Sequence, residues 1–256
     1  MALKLGVFTT TYNALQRQEP YHEATSCYND LADVVTEVDD PWPYDFDWPF
    51  IGKQFQKGYE QCNADWIIHA DLDFIFHEDN FAEIRKAIEH YNDQPALTMW
   101  KYQFYTPDRY NLKSRLVIAV NKGKYGDRIR FDSGGDLCQP SLDGEYIVPA
   151  SVPEMRVPFY NYDFMLKTKD IILREKGRFA RAWTSHFKNR DLGGPDDQSA
   201  YDRWLDQTVG RYKSHNNFIQ LQEHPKYMKN TIRSLHPEQF GYSGFGLLGV
   251  NNYVIK

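Results

Sequence analysis

The chain is poor in cysteine. Its three, Cys27, Cys62 and Cys138, lie far apart and form no Cys-x-x-Cys pair. That excludes a disulfide framework and a zinc ribbon, and it points to a reducing, cytoplasmic compartment. Long apolar runs are missing too: no stretch approaches the ~18 consecutive apolar residues that a membrane-spanning helix needs. The opening Leu3 to Thr9 is short, carries only Lys4, and reads as a first β-strand rather than a signal peptide. Nor is there an excess of positive charge. Lys and Arg number 30 against 35 Asp and Glu, for a net charge of −5. A protein held to bare nucleic acid by a global basic field is therefore disfavoured.

What the chain does have is length, at 256 residues with 41% hydrophobic, enough for one large core or two small ones. Aromatic residues are abundant, with 18 Tyr, 16 Phe and 6 Trp. Sugars present apolar C–H faces that rings pack against, so this content suits carbohydrate handling. It equally suits a core built from rings.

Element signals alternate in the first ~95 residues. Strands are expected at 3–9, 33–38 and 66–70, and helices at 20–31, 50–61 and from Glu78 through Tyr91. Between the second strand and second helix lies a loop with three prolines, Pro41, Pro43 and Pro49. Trp66-Ile67-Ile68-His69-Ala70 is apolar on both faces, as in the middle of a parallel sheet. The order strand–helix–strand–helix–strand–helix predicts a doubly wound α/β half. Beyond residue 96, short strands (97–105, 115–120, 127–131, 145–148) precede helices expected within 162–174, at 195–209 and at 224–235. One continuous domain is expected, with residues 1–95 as its nucleotide-binding half and 96–256 as its acceptor-binding half.

Asp71-Leu72-Asp73 follows the third strand directly. Residues i and i+2 of a strand share a face, and open α/β sheets bind ligands at the carboxyl ends of their strands. Two carboxylates there are suited to a hard cation such as Mn²⁺ or Mg²⁺ and the phosphates it carries. Asp-x-Asp alone is a weak signal, since the chain holds it twice. The other copy, Asp45-Phe46-Asp47, sits in the proline loop with no strand before it and is read as solvated loop carboxylates.

Three segments together resemble the GT-A glycosyltransferases of the family 2 type. They are Thr10-Thr11-Tyr12-Asn13 after strand 1, Val38-Asp39-Asp40 after strand 2, and Lys53-Gln54-Phe55 with Ala64-Asp65-Trp66-Ile67-Ile68-His69-Ala70-Asp71-Leu72-Asp73. The likeness covers the first 95 residues. Asp65 stands where that family has glycine, and Pro41-Trp42 follow Asp39-Asp40 where it has Gly-Ser. The resemblance implies a GT-A fold, with a Rossmann-like N-terminal half and a mixed-sheet, helical C-terminal acceptor half. It implies transfer of a sugar, with inversion, from a nucleotide-sugar such as a UDP-sugar to an acceptor hydroxyl. Thr10, Tyr12 and Asp39 would hold base and ribose, Lys53 would contact the nucleotide, and Asp71 and Asp73 would bind ribose and metal. Asn161 replaces the metal-binding His of the family's segment, so Asp163 becomes the third metal ligand by this reading, with His186 as another candidate.

An inverting transfer needs a carboxylate to take the acceptor proton. Asp136, after the Gly134-Gly135 pair, is the first choice for that base and Asp163 the second. His69 shares a face with Asp71 but reads as a buried strand histidine. Trp183, Trp204 and the Tyr242/Phe245 tail could stack on a sugar, with core packing as the ordinary alternative.

Three other readings stay open. Apolar strand followed by Asp-x-Asp also resembles the first motif of haloacid-dehalogenase phosphatases, in which the first Asp attacks phosphate. A non-catalytic nucleotide or glycan binder would keep the same fold. The acceptor itself is a cell-surface glycan by family habit, or a hydroxymethylated base in DNA. The second choice is kept by the basic run Arg128, Arg130, Arg174, Lys176, Arg178, Arg181, Lys188 and Arg190.

Overall fold

The computed structural model describes residues 3–131, 139–214 and 217–243. The chain runs β1 (Leu5–Thr10), α1 (Tyr21–Leu31), β2 (Val34–Val38), α2 (Trp48–Gln61), β3 (Trp66–His69), β4 (Phe74–Phe76) and α3 (Phe81–His90). There follow β5 (Ala96–Thr106), β6 (Arg109–Asn121), α4 (Lys122–Tyr125), β7 (Ile129–Arg130), β8 (Ser141–Leu142), β9 (Glu145–Tyr146) and β10 (Phe159–Asn161). The remainder is α5 (Lys169–Phe187), α6 (Asp197–Ser214), β11 (Asn217–Phe218), α7 (Lys229–Arg233) and α8 (Phe240–Ser243).

The protein is mixed α/β. One sheet has the order β2-β1-β3-β6-β5-β10-β4, with β11 added on β6, and a small second sheet joins β7, β8 and β9. β1 pairs in parallel with β2 and β3, as the alternating strand–helix order predicts. On its other side β3 pairs antiparallel with β6, so it lies inside a mixed sheet rather than an all-parallel one. An apolar strand is buried on both faces whichever way its neighbour runs, and hydropathy cannot tell the two apart.

Two local signals shift element boundaries. α2 starts at Trp48, before the expected Phe50, because Asp47 caps it: its carboxylate accepts from Phe50 N at 2.9 Å. Pro49 falls in the first turn, where its missing N–H costs nothing. This also revises the reading of Asp45 and Asp47: both are exposed, but Asp47 is a helix cap and Asp45 accepts from Arg181 Nε at 2.7 Å. α5 begins at Lys169 and runs on to Phe187, well past the expected end at 174. Gly177, inside this helix, is the point where α6 approaches. A Cβ there would collide with the side chain and backbone of Asp197. The helix expected at 224–235 is shorter, α7 at Lys229–Arg233, and α8 follows it.

The core lies on both faces of the sheet. On one, Tyr28, Trp66, Ile68, Phe76, Phe159 and Tyr162 pack with helices α1 and α3. On the other, Phe8, Ile67 and Phe131 pack against Trp48, Phe55 and Tyr59 of α2. Both clusters draw residues from before and after residue 95, and among the described residues β4 pairs only with β10.

Candidate functional site

A cleft of about 590 Å³ opens at the carboxyl end of β1 and β3. Its floor is Thr10, Asp71, Leu72, Asp73 and Asn161. One wall is the β1–α1 loop with Tyr12, Arg17 and Glu19, and the other is α5 with Arg174, Glu175 and Arg178. Trp42, Tyr44 and Phe46 of the proline loop form an aromatic rim. Five residues expected at the site, Thr10, Tyr12, Asp71, Asp73 and Asp163, thus line one space. Asp39 and Lys53 do not line it: Asp39 accepts from Thr11 Oγ1 at 3.3 Å, and Lys53 is exposed on α2. Asp136 lies outside the described residues. His186 is exposed in the last turn of α5, stacked on Trp48 at 6.1 Å between ring centroids, away from the cleft.

Asp71 and Asp73 face the cleft by a different route from strand alternation. β3 ends at His69, and residues 70–73 turn into β4, with Phe74 N donating to Asp71 O at 2.8 Å. The turn is pinned from beneath. The Tyr28 hydroxyl, fully buried, lies 2.6 Å from Asp71 O and 2.8 Å from Phe74 O. From the other side Tyr162 N donates to Asp73 O at 2.9 Å, and Asn161 Nδ2 donates to Asp73 Oδ2 at 2.9 Å. Nothing in the sequence near Asp71 announces Tyr28 as a support. It sits 43 residues upstream, and only the fold brings its ring under the turn.

The two carboxylates have opposite environments. Asp71 keeps 39% side-chain exposure through the cleft mouth. Its surroundings of protein raise its pKa, but His69, with Nε2 at 3.5 Å from Asp71 Oδ1, and the charges of Arg17 and Lys101 outweigh that, so it stays below its ordinary value. Asp73 is pushed well above the ordinary range, first by burial and then by the negative charges of Asp163, Glu19 and Asp71. His69 itself is clamped between Phe8 and Phe55, at 4.8 and 4.0 Å, as a buried strand histidine should be.

The wall opposite is a buried ion network. Lys167 Nζ sits 2.7 Å from Glu19 Oε1, with side chains only 4% and 7% exposed, and Arg17 bridges Glu19 at 3.1 Å and Glu175 at 3.3 Å. Gln18, with φ at +55°, turns the loop so that its Oε1 accepts from Thr168 N at 2.6 Å. That contact joins the β1–α1 loop to the start of α5 and fixes the cleft width.

Oxygen donors for a hard cation are in place. Asn161 Oδ1 is buried beside Asp73 with no hydrogen-bond partner, and Asp73 carries more negative charge around it than its neighbours neutralise. Among the described residues no three Asp, Glu, His or Cys side chains converge to hold a metal alone. The donor set therefore fits a Mg²⁺- or Mn²⁺-type ion that takes one or two carboxylates, an amide oxygen and oxygens of a bound phosphate. No helix among the described residues is long and apolar enough to cross a membrane.

A second space of about 420 Å³ adjoins the first, sharing Lys101, Asp163, Lys176 and Phe179 with it. It lies between β5, β6, α5 and α6.

Of the basic run singled out from the sequence, Arg174, Lys176 and Arg178 line the cleft, and three members are held by partners within the protein. Arg128 pairs with Asp143 at 2.6 Å, and Arg181 with Asp45 at 2.7 Å and Asp197 at 2.6 Å. Arg178 donates to the carbonyls of Pro43 and Tyr44 and pairs with Glu175 at 3.1 Å. Those contacts hold the aromatic rim against α5. Comparison with known proteins leaves the site to stand on this geometry: no protein-family model matches the chain, and no curated protein matches it.

Proposed function

We propose that the protein is a metal-dependent glycosyltransferase of the GT-A type, transferring a sugar from a nucleotide-sugar to an acceptor hydroxyl with inversion. The observation that carries this is the pair Asp71 and Asp73 at the carboxyl end of β3, in a cleft that adjoins a second cavity through Asp163. Donor and acceptor need two connected spaces with a proton acceptor where they meet.

In this reading the aromatic rim and Tyr12 receive the base, and Thr10 and Asp71 receive the ribose. Asp71, Asp73 and Asn161 Oδ1 hold the divalent ion, which supplies charge stabilisation to the departing diphosphate. Asp163 lines both cavities, and Gln103 Nε2 donates to its Oδ2 at 3.2 Å. That hydrogen bond orients the carboxylate, leaving Oδ1 to take the acceptor's proton as the acceptor oxygen bonds to the anomeric carbon. The bond from that carbon to the diphosphate breaks, and the electron pair leaves with the diphosphate.

A thermal-shift panel of nucleoside diphosphates and nucleotide-sugars, with and without Mn²⁺, tests the donor site on wild type and Asp73→Asn. One nucleotide should raise the melting temperature by a few degrees only with metal, as ligand binding to the folded state requires. Asp73→Asn should abolish that rise. The variant should also melt above wild type without ligand, because it removes a carboxylate that its neighbours repel. If no nucleotide shifts folded wild-type protein, the proposal fails.

The opposed environments of Asp71 and Asp73 favour one alternative, the phosphatase. A lowered Asp71 suits the attacking carboxylate, and a raised Asp73 suits the acid that protonates the leaving oxygen. Turnover of p-nitrophenyl phosphate with Mg²⁺, lost in Asp71→Asn, would favour it.

A further inference from the structure

Five cationic side chains, Lys101, Lys113, Lys176, Arg203 and Arg211, line the second cavity, and among the described residues Asp163 is the one carboxylate on its wall. Two of the lysines are direct cross-strand partners: Lys101 of β5 stands opposite Lys113 of β6. Like charges in that position repel and lower stability. Lys113 is half-buried, and its pKa falls to about 8, through burial first and then the charges of Arg211 and Lys101. Lys176 falls to about 8 as well, mainly through burial. Its ammonium lies 3.8 Å from the centre of the Phe164 ring and 5.5 Å from that of Trp204. Arg203 and Arg211 are exposed at its edge. Five cations around one cavity with a single carboxylate among the described residues leave a place for an anion.

The rest of the wall narrows the class. Trp183, Trp204 and Tyr105 add ring surface, and Gln103, Gln207 and Thr208 add hydrogen-bonding groups. Rings beside polar groups suit a sugar, and the ammonium groups suit a phosphate as point charges. The cavity is compact, the chain as a whole is acidic, and the basic residues do not extend from it as a track. A single phosphorylated sugar fits these dimensions better than a length of nucleic acid.

We propose that the second cavity binds a phosphorylated sugar as the acceptor, with Lys101, Lys113 and Arg211 holding its phosphate and Asp163 facing its hydroxyl. The role as acceptor site rests on the glycosyltransferase reading, whereas the anion site itself does not.

Calorimetric titration with glucose 6-phosphate, glucose and a short DNA duplex would be run on wild type, Lys113→Gln and Lys113→Arg. Lys113 lines only the second cavity, so its variants leave the metal and nucleotide cleft intact. The sugar phosphate should bind wild type, glucose should bind at least about tenfold more weakly, and Lys113→Gln should lose about tenfold in affinity for the sugar phosphate. Lys113→Arg should bind like wild type, which separates charge from packing. Binding should weaken with salt. In parallel, the nucleotide shift with Mn²⁺ should be the same in Lys113→Gln as in wild type. Equal affinity for glucose and glucose 6-phosphate, or unchanged binding in Lys113→Gln, would overturn the anion site. Tight binding of the duplex with none of the sugar phosphate would overturn the assignment to a sugar. If sugar phosphate binds and no nucleotide does, the anion site stands and the glycosyltransferase reading falls.

Discussion

His224 has no solvent exposure, and both its ring nitrogens are engaged. Nε2 lies 2.7 Å from Pro107 O, which can only accept, so the proton is on Nε2. Nδ1 must then accept, and the Tyr162 hydroxyl at 2.8 Å donates to it. A second proton on the ring would break that bond inside a buried ring cluster, and burial accordingly pushes its pKa down to about 4. The unfolded chain takes up this proton near pH 6.5, the folded one only near 4. Stability from the neutral ring is therefore complete above about pH 6.5 and is lost as pH falls from there towards 4, by up to about 3 kcal/mol. His224→Gln, which keeps a donor and an acceptor but does not titrate, should flatten the melting temperature between pH 6.5 and 4.5. Parallel slopes for the two proteins would show that His224 is not the titrating group. At this scale the Asp71 and Asp73 pair was legible because the motif carries its chemistry in three adjacent residues. Tyr28, Arg17, Glu19 and Lys167 were not, since each earns its place through a contact across the fold.

Most helices and strands of the first half could be read because hydrophobic period and punctuation agree there, as in the β-branched residues of β2 and the apolar spacing along α3, whereas the Asp47 cap and Pro49 at the start of α2 were read as loop. The short strands β4 and β10 were invisible. Three residues carry no period, and each is a strand through long-range pairing: β4 on β10, and β10 between β4 and β5. The β5–β6 hairpin was read too short on its second strand, at 115–120: the register shift between Trp100 and Lys101 leaves one extra residue of β6 between Lys113 and Arg115, which breaks its alternation. With that register unknown, the facing of Lys101 and Lys113 could not be foreseen, and the second cavity went unread. Element packing also makes one sharp demand. α2 lies so close on β1 that a Cβ on Gly58 would come within 2.9 Å of Phe8 Cγ, and the Phe8 ring is wedged against His69 and Phe131. Gly58→Ala gains about 1 kcal/mol in helix propensity, but overpacking of this kind costs about 1–3 kcal/mol. The variant should melt lower than wild type. Because Phe8 stacks on the histidine beside Asp71, it should also weaken the metal-dependent nucleotide shift. An unchanged melting temperature would mean that the packing cost is no more than the ~1 kcal/mol helix-propensity gain, and a higher one that α2 moves away from the sheet freely.

Across the whole molecule, the sheet does not respect the change in sequence character near residue 95. β3 is flanked by β1 on one side and β6 on the other, and β4 joins the sheet through β10. Asp73 is fixed from both sides of the boundary, by its own turn and by Asn161 and Tyr162. The cleft is therefore a product of the complete sheet: the half that carries Asp71 and Asp73 holds Asp71 through Tyr28 and His69 but lacks Asn161 and Tyr162, which hold Asp73. Cooperative unfolding follows from such shared cores. Tryptophans report on both halves, buried Trp66 in β3 and half-buried Trp183 in α5, so fluorescence and far-ultraviolet circular dichroism should trace one coincident urea transition. A fragment of residues 1–95 would expose the open side of β3 and leave β4 unpaired. It should show no near-ultraviolet circular dichroism signal and no nucleotide shift, even though it contains both motif aspartates. Two separate transitions, or a folded fragment that binds a nucleoside diphosphate with Mn²⁺, would place the donor site in the first half alone and make the second half a later addition to a finished binding unit.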